Sequence, residues 1–295
     1  MAITSNSAEA NFSFAQLYDL VGGKLGKFDR PCPECSPYRR KRHAKCLAVW
    51  HEEPDFVTYC CAHCEQHGYA HRGGSSYVDP VRFARMKREA AVRRDRQRAE
   101  RRIKARSLWD RSIPAPATLV ETYLASRKIV CRPPATLRML PPSGSYPLTM
   151  IAAFGLPTEP EPGQFSITGM VVADVHLTRL LPDGRGKAEV ENPKIMVGPA
   201  SGMPIALAPI NDTGGLAIAE GIEDALSIHQ VTGLGAWAAG TANRLPALAS
   251  IVPAHVCGVT ILVDDDEAGR KGSNELAYRL AARGIDVELL LARSS

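Results

Sequence analysis

The sequence has no run of about 18 apolar residues, which excludes a membrane-spanning helix of ordinary length. Its first stretch, Met1 to Phe14, has neither a basic start nor an apolar block, so it does not read as a secretory signal. A cytoplasmic setting is therefore expected, and there closely spaced cysteines hold metal more often than they form disulfides. No G-x-x-x-x-G-K-[ST] loop occurs, which excludes a fused P-loop motor. No segment repeats at a fixed period. Aromatic residues are scarce, at 6% of the chain, and only Phe83 and Trp109 fall within residues 78–110, which include its most basic stretch.

What is present is enough for two or three domains: 295 residues with an ordinary apolar fraction of 45%. The net charge of +5 hides an asymmetry. Residues 82–106 hold twelve of the 36 Lys and Arg but only three of the 31 Asp and Glu, so the remainder carries 24 basic against 28 acidic residues. Basicity that local points to a partner-binding element more than to general solubility.

The hydropathy pattern divides the chain. A short helix is expected over "FAQLYDLVG", then a cysteine-bearing segment over residues 28–75 with little helical periodicity. Residues 78–110 read as one long basic linker helix opened by Asp79-Pro80, a cap followed by a first-turn proline. The proline-rich "SIPAPA" ends it, and residues 111–210 hold a short helix ("LVETYLASRK") and short strands, a mixed α+β region. From residue 214 to 293 strands and helices alternate: "LAIAEG", "IEDALSIHQVT", "GAWAAG", "RLPALASIV", "GVTILVDDD", "GSNELAYRLAARG", "DVELLLA". That alternation predicts an α/β domain, a parallel sheet flanked by helices on both faces.

Cys32-x-x-Cys35 and Cys61-x-x-Cys64 can supply four thiolates to one tetrahedral Zn²⁺. The 25 residues between the pairs exceed the common ribbon spacing, and Cys46, Cys60 and nearby histidines are rival ligands. A zinc held this way is structural: it folds the segment and takes no part in catalysis. Cys131 and Cys257 stand alone and read as core residues.

The second cluster is acidic. "ILVDDDEAGRKG" drives an apolar strand into Asp264, Asp265 and Asp266, although adjacent like charges repel and resist burial. Glu220 ends the earlier strand "LAIAE", and in a parallel α/β sheet ligands bind beyond the carboxyl ends of strands. A period of two puts Asp264 and Asp266 on one face. Glu220, Asp264 and Asp266 then make a hard-oxygen site suited to Mg²⁺ or Mn²⁺. The bland reading is a solvated acidic turn capping the next helix; the matching acid on the earlier strand favours metal. Gly269 permits a tight turn, with Arg270 and Lys271 near any bound phosphate.

"IAEGIEDAL" followed by "ILVDDDEAGRKG" resembles the Toprim family, found in bacterial and phage primases, topoisomerases and some nucleases. Glu220, Gly221, Asp264, Asp266 and Gly269 each match its pattern. "FVTYCCAHCEQHG" resembles the zinc ribbon of primases, departing from it in Cys35, where many have His, and in a longer insert. The stretches "YPLTMIAAF" and "PKIMVGPASG" are similar to phage and mobile-element primases that join such a ribbon to a Toprim domain. The resemblance implies an enzyme that synthesises short RNA primers on a single-stranded DNA template from nucleoside triphosphates. Glu220, Asp264 and Asp266 would hold the metal, with Gly221 and Gly269 shaping the site. Whether Glu220 is a ligand or a proton-transfer group stays open. Arg179, Arg185, Lys187 and Lys194 are candidates for the triphosphate, Lys194 by its likeness to a primase lysine motif. Without a motor of its own, a primer-synthesising chain would work with a separate replicative helicase.

The basic helix is polar around most of its circumference, as expected of a linker exposed to solvent. Its net charge of +9 over residues 82–106 adds a salt-sensitive phosphate contact. Base contacts are assigned to the ribbon, on Tyr59, His63, His67 and the cations Arg39 to Arg42. Two rivals use the same motifs: a Toprim nuclease, and a non-catalytic zinc-bearing Toprim clamp on DNA.

Overall fold

The computed structural model describes residues 12–38, 42–64, 66–73, 80–161, 164–199 and 202–291. The expected Asp79 cap, the cations Arg39 to Lys41, and residues 292–293 lie outside these. The chain divides into two compact units, residues 1–90 and 91–295.

The first unit begins with α1 (Phe14–Leu20), where Ser13 accepts from the Gln16 amide and Gln16 returns a bond to the Ser13 amide. An antiparallel sheet follows in sequence order: β1 (Gly26–Arg30), β2 (Leu47–Glu53), β3 (Phe56–Cys61) and β4 (His67–His71). Alternation sorts its side chains. Leu47, Val49 and His51 of β2 and Val57, Tyr59 and Cys61 of β3 face a core shared with Phe12, Leu17 and Val21.

Helix α2 (Pro80–Asp110) is the long helix the sequence predicts. Exposed pairs Arg85–Glu89, Arg96–Glu100 and Arg106–Asp110 follow its i,i+4 spacing. Its last turns are anchored: Ala105 and Trp109 pack with Ile151, Ala153, Val172 and Val175, and the Arg138 guanidinium lies 5.2 Å from the Trp109 ring.

The second unit holds two larger sheets. One is antiparallel, built from β5 (Ile113–Pro114), β6 (Leu137–Leu140), β7 (Thr149–Ala153), β10 (Val175–Arg179) and β11 (Lys194–Val197) in the order β11-β10-β7-β6-β5. Helix α3 (Leu119–Ser126) follows β5, and a small hairpin, β8 (Thr158–Glu161) with β9 (Gln164–Ser166), stands apart. The other sheet has the order β12-β14-β13-β15-β16, from β12 (Ile205–Ala208), β13 (Gly215–Ala219), β14 (Gly235–Ala238), β15 (Gly258–Val263) and β16 (Asp286–Leu291).

Strands β13 to β16 are parallel, as the alternation predicts, and β12 adds an antiparallel edge. Both faces are covered: α4 (Ile222–Thr232) packs Ile222, Ala225 and Leu226 over Ala219, Ala236 and Ala238. On the opposite face α5 (Leu245–Leu248) and α6 (Glu267–Ala281) cover Leu216, Ile218, Val259 and Ile261. This two-sided burial explains why "GLAIA" and "GAWA" are continuously apolar. The helix expected over "RLPALASIV" is shorter than read: a 3₁₀ turn, Ala242–Arg244, leads into the four residues of α5, and the chain then turns at Ile251 towards Pro253. Cys257 is exposed, not a core residue, because it sits in the turn before β15 with its thiol towards the His255 carbonyl; Cys131 is half-buried.

Candidate active site

β13 and β15 are neighbours in register, Ile218 opposite Ile261, so the residues that follow them emerge side by side. Glu220 and Asp264 therefore share one small cleft, of about 60 Å³, lined also by Gly221, Ile222, Asp224, Gly240, His176 and Lys194. The Gly240 amide donates to the Glu220 carbonyl at 2.9 Å and ties the end of β14 to that of β13. Burial raises the Glu220 pKa, and the charges of Asp264 and Asp266 raise it further, against a smaller opposing pull from Lys194. Asp264 is raised by burial, then by Asp224 and Asp266, again eased by Lys194. Carboxylates that raise each other's pKa in this way leave the cleft short of positive charge, although among the described residues only the four cysteines bring three or more ligand atoms within 4.8 Å of one another.

Asp264 to Asp266 do not continue the strand. β15 stops at Val263, and the Asp266 amide bonds back to the Asp264 carbonyl, so the period-of-two argument does not apply to them. Asp266 is the N-cap of α6, its carboxylate accepting from the Gly269 amide at 2.7 Å, while Asp265 pairs with Arg270 at 2.6 Å. Asp266 thus caps the helix, as the bland reading expects, and also lends its charge to the cleft. Gly269 is required by close approach and not by a turn. A Cβ there would lie 2.6 Å from the Asp264 carbonyl oxygen and 2.8 Å from its Cβ. Gly269→Ala is accordingly expected to destabilise the protein by about 1–3 kcal/mol and to displace Asp264. A lowered melting temperature together with weakened Mn²⁺ binding would register both effects.

Beside the cleft lies a buried ionic cluster that sequence reasoning missed. The Glu223 side chain is 8% exposed and receives Lys187 Nζ at 3.0 Å and Lys194 Nζ at 3.6 Å. Tyr123 of α3 donates its hydroxyl to the same carboxylate. Burial alone would raise the Glu223 pKa, but Lys194, Lys187 and the Tyr123 hydroxyl together hold it down to about 2. His176 is buried, and burial, then Lys194, lowers its pKa to about 4, so the ring is neutral near pH 7. Lys187 follows a turn in which the Arg185 amide donates to Asp183, and in which a Cβ on Gly184 would meet the Leu119 carbonyl at 2.8 Å. α3 thus braces the lysine-bearing loop as well as Glu223. Of the cations expected at the site, Lys194 lines the cleft and Lys187 joins it through Glu223. Arg179 and Arg185 are not among the lining residues, and Arg185 is exposed.

In the first unit the thiols of Cys32, Cys35, Cys61 and Cys64 lie within 4.8 Å of one another. Cys32 to Cys64 is 3.8 Å and Cys35 to Cys61 is 3.7 Å. A tetrahedral Zn²⁺ with bonds of about 2.3 Å puts its sulfurs about 3.8 Å apart, so the four fit zinc. Burial and the neighbouring thiols raise the Cys35 pKa, which a bound cation would reverse. Cys46 stands 3.9 Å from Cys35, beside the four, and Cys60 is exposed. Tyr59 is not available for base contacts: it is 2% exposed and packs edge-on against Phe12 at 4.9 Å. Tyr69, exposed and stacked on Phe56, is the surface aromatic of this sheet, with His63 and His67 also exposed.

Residues 215–295 match the family model described as the Toprim domain. Residues 99–207 match one described as a domain of unknown function, DUF7146. No curated protein sequence matches the chain. Among solved structures, the primase fragment of the bacteriophage T7 primase-helicase protein is similar at 11% identity, over 90% of this chain and 90% of that one, with a TM-score of 0.36. The zinc-binding and RNA polymerase domains of the Aquifex aeolicus primase are similar at 13% identity, over 95% of this chain and 77% of that one, with a TM-score of 0.30. Among the described residues no helix is long and apolar enough to cross a membrane.

Proposed function

We propose that this chain, a Toprim-domain protein with an N-terminal four-cysteine cluster, is a DNA primase that joins nucleoside triphosphates into short RNA primers on single-stranded DNA. The observation that carries this reading is the cleft itself: Glu220, Asp224 and Asp264 converge on it, with Lys194 at its wall and Lys187 close by. Acids for a divalent metal beside cations for a triphosphate are what nucleotidyl transfer needs. In the proposed division, residues 28–75 form a zinc ribbon, 78–110 a basic linker helix, 111–210 the first part of the catalytic core and 214–293 the Toprim domain.

Bound Mg²⁺ or Mn²⁺ would activate a 3′-hydroxyl and neutralise the charge of the triphosphate. Glu220, Asp264 and Asp266, with Asp224, would hold it, Gly221 leaving room for the Asp224 carboxylate and Gly269 for the Asp264 backbone. Lys194 and Lys187 would orient the triphosphate, and Arg179 and Arg185 would meet it only at the rim. Glu220, whose hold on a proton is strengthened, is suited to proton transfer as well. The basic face of α2 would grip template phosphates in a salt-dependent way. Tyr69, His63 and His67 would meet bases. A separate replicative helicase and a phage, plasmid or mobile-element replicon complete the proposal.

The test is incorporation of labelled nucleotides on single-stranded DNA with Mg²⁺ or Mn²⁺. Short template-dependent products are expected. Metal-dependent shortening of the template would replace this reading with a nuclease, and binding without either reaction would replace it with a clamp.

A further inference from the structure

Lys194 opens β11 opposite Thr178 of β10, at a point where two anionic groups lie within reach of its side chain. One is Glu223, 3.6 Å from its ammonium; the other is the cleft it lines with Glu220 and Asp264. A lysine carries a compact charge on a flexible four-carbon stem, and its side chain here is 40% exposed, so it is free to choose between them. An ammonium among the cleft carboxylates would take the place of a metal cation. Glu223 is well built to prevent that. It is buried, it already receives Lys187, and the Tyr123 hydroxyl fixes its carboxylate. One negative charge against two ammonium groups also leaves this cluster with net positive charge directed at the rim of the cleft.

We propose that Glu223, steadied by Tyr123, is a positioning residue that holds the Lys194 ammonium out of the carboxylate cleft and so keeps the cleft open to a divalent cation. The inference rests on the metal reading above. Without the Glu223 charge, Lys194 swings to Glu220 and Asp264 and competes with metal. The cost appears as weaker metal binding, independent of any chemistry on nucleotides.

Mn²⁺ binding to the full-length, zinc-loaded protein, followed by the paramagnetic resonance of free Mn²⁺, tests this. Glu223→Gln, with melting temperature and circular dichroism confirming the fold, is expected to bind Mn²⁺ about tenfold more weakly than wild type, within the usual range of coupling between two sites. Lys194→Met alone should change affinity about twofold or less, yet in the Glu223→Gln background it should recover most of the tenfold loss, a strong non-additivity. Tyr123→Phe, which keeps the burial and removes only the donor, should weaken binding in the same direction by a smaller factor. If Glu223→Gln does not fold, Tyr123→Phe with and without Lys194→Met carries the same comparison. Unchanged Mn²⁺ affinity in the Glu223 and Tyr123 variants, or additive effects in the double variant, would overturn the proposal while leaving the metal site intact. Wild-type protein that binds no Mn²⁺ at the cleft, judged against Asp264→Asn, would overturn the metal reading and this inference together.

Discussion

Asp264→Asn is expected to cut metal-dependent nucleotide incorporation by about 10²–10³-fold, the usual loss when one preorganised charge is removed from a reacting centre. The same change should raise the melting temperature of the metal-free protein. The folded carboxyl holds its proton more tightly than the unfolded one, first because it is partly buried and then because Asp224 and Asp266 are near. Its ionisation therefore opposes folding: the penalty is absent at low pH, sets in as pH rises past the ordinary aspartate value, and is complete above the raised one. Asparagine removes it. Because the group is only partly buried, solvent screening limits the gain to no more than about 1 kcal/mol, or roughly 2–4 °C. Added Mg²⁺ should stabilise wild type and leave the variant nearly unmoved. Parallel activity assays and calorimetry read both halves; a variant that loses activity and stability together would mean that Asp264 serves the fold and not the site.

The second large effect concerns zinc. The first unit relies on one modest core around Leu47, Val49, Val57 and Tyr59, and structural zinc contributes about 10–16 kcal/mol to the folding of small metal domains. Chelation, or Cys32→Ser, should release one zinc per chain and unfold β1 to β4. The transition of residues 91–291 should persist in calorimetry. Cys32 is the better position for this test than Cys35. Cys46 lies 3.9 Å from Cys35 and is placed to replace its thiolate, whereas Cys32 is fully buried against Cys64. Full retention of ribbon structure, read by proteolysis or nuclear magnetic resonance after zinc removal, would show that the thiols merely pack.

Both clusters were legible because their chemistry is local. Two C-x-x-C pairs, and acids placed directly after apolar strands, announce themselves in a few residues each. The parallel sheet was legible for the same reason, from continuous apolar runs alternating with amphipathic helices. The Tyr123–Glu223 bond joins residues 100 positions apart, on helices α3 and α4, and no periodicity points to it. Glu223 and Asp224 did leave a signal. They lie three and four residues beyond Glu220, so the first turn of α4 brings them back beside the end of β13. The acidic turn misled strand-period reasoning because three adjacent aspartates break the strand and begin a helix. Tyr59 misled because its burial depends on strand register, which the sequence does not set until β3 is paired with β2 and β4.

Among the described residues, the buried side chains of helix α2 lie towards its C-terminal end. Its last turns are sealed by Ala105 and Trp109, while Arg85 and Arg88 present charge to solvent and the pairing there is an exposed, screened i,i+4 contact. Its cooperativity is therefore graded along its length. Amide protons near Trp109 exchange only when the surrounding core opens, whereas those nearer Arg85 exchange through local fraying, orders of magnitude sooner. Such a rod has a fixed root: the turns around Arg93 to Arg102 can open and close from residue to residue without disturbing the sheet against which Trp109 is set.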